Sequence, residues 1–112
     1  MESSDAVAAF SALAQDHRLA VFRLLMRAGP DGLAAGEIAA ASGIPSSTLS
    51  FHLAQLERAG LLTARRRQRH ILYAVSVEGT RRLVDFLTQE CCGGRAELCG
   101  YGAATENEGR AA

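Results

Sequence analysis

Apolar positions recur along most of this chain at helical spacing and give way to strict alternation in one stretch only. Over residues 5–14, Val7, Phe10 and the Leu13–Ala14 pair form one helical stripe. Asp16 is a favourable N-cap, and Leu19, Phe22 and the Leu25–Met26 pair repeat the pattern over residues 17–27. Gly29-Pro30-Asp31-Gly32 stops that helix in a turn. Residues 36–41 read as a short third helix ended by Ser42-Gly43. Pro45-Ser46-Ser47 opens a fourth helix that runs to Arg58 or Ala59 and closes at Gly60. Residues 62–66 and 71–77 then read as two strands, with Leu72, Ala74 and Ser76 alternating against Ile71, Tyr73, Val75 and Val77. Arg67-Gln68-Arg69-His70 is the basic tip between them. Residues 79–90 form a last helix with Leu83, Phe86 and Leu87 inward, ended by Gly93-Gly94. From Gly100 onward the chain is rich in Gly, Ala and Glu without a stripe and reads as a frayed tail.

Two short helices joined by a few residues around Gly43 have the layout of a helix-turn-helix. With the hairpin and the last helix behind them, the order ααααββα describes a winged helix-turn-helix, mainly α with a small β part (α+β). A length of 112 residues accommodates one such domain, and 48% hydrophobic with 21% charged residues is a globular composition. No apolar run is long enough for a transmembrane helix, and no basic start followed by an apolar stretch suggests export. The expectation is a cytoplasmic protein with no membrane partner.

The formal net charge is zero but unevenly spread. Residues 1–57 carry three Arg against six acids, whereas residues 58–82 carry seven Arg against Glu78 alone. A basic patch on a neutral protein is either a solvated charged loop or the footprint of a polyanion partner. The fourth helix decides between them. At about 100° per residue, Leu49, Leu53 and Leu56 share an inward side, Ser47, Phe51, Ala54 and Gln55 lie opposite, and Thr48, Ser50 and His52 flank them. A small, polar, uncharged face suits base edges in a major groove: hydroxyls donate or accept, Gln reads adenine and Phe touches a thymine methyl. Ser46 and the other N-terminal residues can hold a phosphate through free N–H groups. The serines alone fit ordinary caps, Phe51 fits either an outer reading face or the edge of the core, and His52, on the boundary, fits a core or phosphate partner better than a metal ligand. Arg65, Arg66, Arg67 and Arg69 on the hairpin can contact phosphates or enter a minor groove, which confers affinity and salt dependence. The DNA-contacting set is therefore Ser46, Ser47, Thr48, Ser50, Phe51, His52, Gln55, Arg65, Arg66, Arg67 and Arg69.

All three cysteines lie at the C-terminal end, as Cys91, Cys92 and Cys99. A bond between the adjacent pair is disfavoured, because neighbouring Cα atoms sit about 3.8 Å apart, below the usual disulfide range. Gly93-Gly94 lets the chain turn, so Cys99 can return to the pair. Three thiolates with no fourth ligand suit a soft three-coordinate centre better than tetrahedral zinc. Trivalent arsenic fits, as does antimony, each thiol displacing one hydroxide of the neutral acid; mercury or copper(I) with two or three sulfurs is a further alternative. Unligated thiols, or a thiol–disulfide switch through Cys99 with help from Arg95, are the alternatives.

Asp16-His17-Arg18-Leu19, the run Ser47-Thr48-Leu49-Ser50-Phe51-His52-Leu53-Ala54-Gln55-Leu56 with Ala59-Gly60-Leu61-Leu62 after it, and Tyr73-Ala74-Val75 together resemble the arsenic-repressor (ArsR/SmtB) family of winged-helix metal sensors. The resemblance covers residues 5 to about 90. It implies a homodimer formed through the first and last helices and a pseudo-palindromic operator, one reading helix per half-site. Residues 5–90 are then the DNA-binding and dimerisation domain, and residues 91–112 a metalloid-binding segment and tail. Two metal sites known in the family do not transfer: residues 33–41 hold no Cys, and residues 77–90 hold no His. The Cys-Cys pair with a third Cys behind the last helix resembles a branch that senses arsenite C-terminally. These readings join into a repressor that leaves its operator when As(III) binds Cys91, Cys92 and Cys99, with a redox-sensing repressor on the same fold as alternative. No organic cofactor is implied. No cysteine sits in an anion-cradling loop before a helix and no residue pairs as nucleophile and base, so an enzyme is not expected.

Overall fold

The computed structural model describes residues 1–91, with side chains to residue 89. Five helices and a small sheet follow in the order α1 (Ser3–Leu13), α2 (Asp16–Ala28), β1 (Leu33–Ala34), α3 (Ala35–Ser42), α4 (Ser46–Arg58), β2 (Leu62–Arg67), β3 (His70–Val75) and α5 (Val77–Cys91). The sheet is antiparallel with strand order β1-β3-β2. β1 adds one strand to the expected order. It pairs Leu33 with Tyr73 and Ala34 with Leu72, and two residues are too few to show a period in sequence. The segment carrying the third cysteine, and Cys92 with it, lies outside the described residues.

One apolar cluster holds the elements together. Val21 and Leu25 of α2, Ile38 of α3, Leu49, Leu53 and Leu56 of α4, Leu61 and Leu62 where the chain enters β2, and Leu83 of α5 are all buried in it. α4 turns inward the residues its spacing predicts. α1 does not. Its buried face is Ala6, Ala9 and Ala12, while Val7 and Phe10 are 62% and 42% exposed. Small side chains let the α1 backbone approach its neighbours closely, so the larger apolar residues are left on the outer face. The α2 stripe is corrected in the same sense: Val21 and Leu25 are inside, Phe22 is half-buried, and Leu19 and Met26 face out. On α5, Leu83 is buried and Phe86 packs against the core, but Leu87 is exposed.

Several boundaries shift for identifiable reasons. Gln15, not Asp16, caps α2, its side-chain oxygen accepting from the Arg18 N–H at 2.9 Å. Asp16 becomes the first helical residue, where its charge suits the positive end of the helix dipole. Ser76, read from alternation as strand, instead starts α5: its hydroxyl oxygen accepts from the Gly79 N–H at 3.0 Å and its carbonyl from the Thr80 N–H at 3.0 Å. α5 therefore begins at Val77, two residues earlier than expected. Gly43 ends α3 in the left-handed region (φ 76°), which sets the tight turn into α4.

Candidate nucleic-acid interface

α4 is anchored along its inner side by Leu49, Leu53 and Leu56, and this fixes which residues it presents outward. Ser46, Ser47, Thr48 and Ser50 are exposed at its N-terminal half, Phe51 is 57% exposed, and Ala54 and Gln55 are half-buried. The Thr48 hydroxyl donates to the Pro45 carbonyl at 3.1 Å, and the Ser50 hydroxyl to the Ser46 carbonyl at 3.4 Å. Each proton is thus used within the helix and each oxygen offers lone pairs outward, so these two residues are set as acceptors.

His52 is corrected. It is buried, behind the exposed face rather than on it. Arg18 Nη1 lies 3.3 Å from His52 Nδ1, and Arg18 Nε donates to the Ala12 carbonyl at 2.7 Å. Arginine has only donors, so His52 Nδ1 accepts and the ring proton sits on Nε2. Burial pushes the His52 pKa below its ordinary value of 6.5, and the nearby Arg18 and His17 charges push the same way. The neutral ring that this bond requires is therefore the favoured form at pH 7. His17 meets His52 edge-on with ring centroids 5.5 Å apart, and the Phe51 ring also meets His52 edge-on at 5.8 Å. One arginine thus links the end of α1, the start of α2 and the back of α4. In sequence Asp16-His17-Arg18 is visible only as a motif; its function follows from a contact spanning 34 positions, which no local spacing encodes.

The hairpin supplies the second part. Strands β2 and β3 pair Arg65 with Leu72, Arg66 with Ile71 and Arg67 with His70, leaving Gln68 and Arg69 as the turn. The turn is thus two residues long, with Arg67 and His70 as its closing pair rather than part of its tip. Gln68 takes a positive φ of 58° there. Arg65, Arg66, Arg67 and Arg69 are all exposed. None of them pairs with a carboxylate among the described residues; Arg65 alone is tethered, Nη2 donating to the Asp31 carbonyl at 3.3 Å. An uncharged helix face beside four unneutralised guanidiniums divides reading from holding: bases can be read on α4 and phosphates held by the wing.

Cys91 is the last residue of α5, and Cys92 and Cys99 fall outside the described residues. Among the described residues no three His, Cys, Asp or Glu are gathered as metal ligands, and no helix is long and apolar enough to cross a membrane.

Comparison with known proteins agrees with this geometry. A helix-turn-helix domain family matches residues 13–65, from the end of α1 into the wing. The HTH-type transcriptional regulator YgaV of Escherichia coli is 30% identical over 90 residues, covering 80% of this chain and 89% of YgaV. The homodimeric winged helix-turn-helix DNA-binding domain Mb0332 of Mycobacterium bovis, named a possible ArsR-family transcriptional regulator, superposes with a TM-score of 0.64 at 30% identity, over 75% of each chain. A solved structure named as a possible transcriptional regulator for arsenical resistance is 26% identical, with a TM-score of 0.60 over 69% of this chain and 77% of its own. With the reading helix, the basic wing and these relatives in agreement, the chain is a DNA-binding winged-helix transcriptional regulator and belongs to the ArsR family.

Proposed function

We propose that this regulator is an arsenite-responsive repressor: a homodimer that occupies operator DNA and releases it when As(III) binds Cys91, Cys92 and Cys99. The observation that carries the reading is the placement of all three cysteines of the chain at and just beyond the end of α5. The relative named for arsenical resistance supports the same ligand class. The chemistry balances without a redox partner: each thiol gives up a proton, each hydroxide of neutral arsenous acid leaves as water, and three As–S bonds replace three As–O bonds. Soft sulfur donors favour such a thiophilic ion, and antimony of the same valence fits them equally.

The dimer reading rests on apolar surface. Val7 and Phe10 on α1 and Leu87 on α5 are exposed in the single chain, and α1 and α5 contact one another. Mb0332, with the same fold, is homodimeric. A partner covering that surface would bring two copies of α5, with their cysteines, to the dimer interface. Each α4 would then enter one half-site, Ser47, Thr48, Ser50, Phe51 and Gln55 facing bases and Arg65, Arg66, Arg67 and Arg69 facing phosphates. Intact-mass measurement after arsenite treatment tests the ligand set: one arsenic gained with three protons lost supports it, and two protons lost, or no adduct, overturns the trio. A disulfide formed under peroxide, with DNA release and no need for arsenite, would establish the redox alternative instead.

A further inference from the structure

A cleft of about 390 Å³ opens between α1 and the α4 flank, and DNA reading, which would use Phe51 and Gln55, does not account for Arg18, Arg58 or Ser11 in its lining. Arg18, Phe51, Gln55 and Arg58 line it, with Ser11 of α1 opposite. Phe51, Gln55 and Arg58 fall at successive turns of α4, so a flat apolar ring, an amide and a guanidinium form one stripe along the wall. Arg18 is pre-set by its bonds to the Ala12 carbonyl and His52, with its remaining N–H groups free of any partner among the described residues. Arg58 forms no ion pair among them either, and none of their carboxylates lines this cleft. Asp5 lines an adjoining cleft that shares Arg58. Two uncompensated guanidiniums beside an exposed phenyl ring recognise an anion that carries its own flat apolar body, the carboxylate meeting the arginines and the ring stacking on Phe51.

We infer that this cleft is a binding site for a small aromatic carboxylate, distinct from the cysteines. Because Phe51 and Gln55 belong to both the cleft and the outer face of α4, occupancy and DNA reading compete for the same two side chains. The inference does not depend on the thiols, and arsenite binding can fail without touching it.

The test is a backbone amide NMR titration of the full chain with 2-naphthoate, and with neutral 2-naphthamide as control. Saturable shifts clustered at Ser11, Phe51, Gln55 and Ala59 are expected, with the amide binding about tenfold more weakly or worse. Arg58→Gln is expected to weaken naphthoate by a similar factor at an unchanged unfolding temperature, since Arg58 is exposed and has no ion pair among the described residues. Because Arg18 also serves the fold, the milder Arg18→Lys is the second variant, again with weaker naphthoate binding. Equal binding of acid and amide, shifts gathered on the wing arginines, unaltered binding in Arg58→Gln, or no saturable shift would each overturn the site.

Discussion

His52 ties the reading helix to the rest of the fold through a bond that exists only while its ring is neutral. Its pKa lies below 6.5 in the folded chain, because burial and the cation of Arg18 oppose a second proton. The unfolded chain therefore binds the more protons below about pH 6.5, and stability must fall as pH drops through that value toward the folded pKa. Thermal unfolding followed from pH 7.5 to 5 is expected to show this loss, and His52→Asn is expected to flatten it, since the other two histidines remain in both proteins. Phe51 behaves oppositely. It is mostly exposed, so Phe51→Ala is expected to leave the unfolding free energy within about 0.5 kcal/mol. Its removal should cost about 1–3 kcal/mol in operator affinity where it meets a thymine methyl. A calorimetric scan and a DNA titration of one variant separate the two effects.

At the scale of elements, the inward leucine face of α4 is legible because it is regular and large, but the burial of His52 beside it is not, since that depends on Arg18 from α2. α1 was readable as a helix but not in its orientation: it has two apolar faces, one of alanines and one with Val7 and Phe10, and only packing decides which goes inward. β1, at two residues, is too short to show a period, and Ser76 reads as strand in sequence because the alternation runs into the cap it makes for α5. The same junction contains a tight approach. A Cβ on Gly79 would run into the Gly60 carbonyl oxygen, so α5 can lie against the α4–β2 turn only with glycine there. Gly79→Ala is expected to destabilise the domain by about 1–3 kcal/mol, read by chemical denaturation, as overpacking typically does. The wing makes a separate prediction. Neutralising Arg66 and Arg69 to Gln should lower the slope of log affinity against log salt by about 0.9 for each phosphate that is no longer neutralised, and weaken binding to all sequences alike. A change in sequence preference instead would mean that the wing reads bases.

For the whole molecule, α1 and α5 carry exposed apolar residues and touch one another, α5 ends at Cys91, and the proposed reading face lies on α4 and the hairpin. The thiol trio is visible in sequence as a clustering of residues, of which Cys91 ends α5 and the other two lie outside the described residues. Phe10→Glu would bury a charge at the proposed dimer surface, and sedimentation is expected to show monomer in place of dimer. Coupling between the thiols and the reading face needs only that arsenite bind the free dimer more tightly than the DNA-bound one, and about 2.7 kcal/mol of difference yields a hundredfold change. Fluorescence anisotropy on a duplex selected from a random library measures this directly, with and without arsenite, in the native chain and in Cys99→Ser. Arsenite should weaken the native complex about a hundredfold and leave the variant's affinity nearly constant. Equal affinity with and without arsenite in the native chain, or equal release in Cys99→Ser, would contradict a sulfur trio that controls the DNA reader.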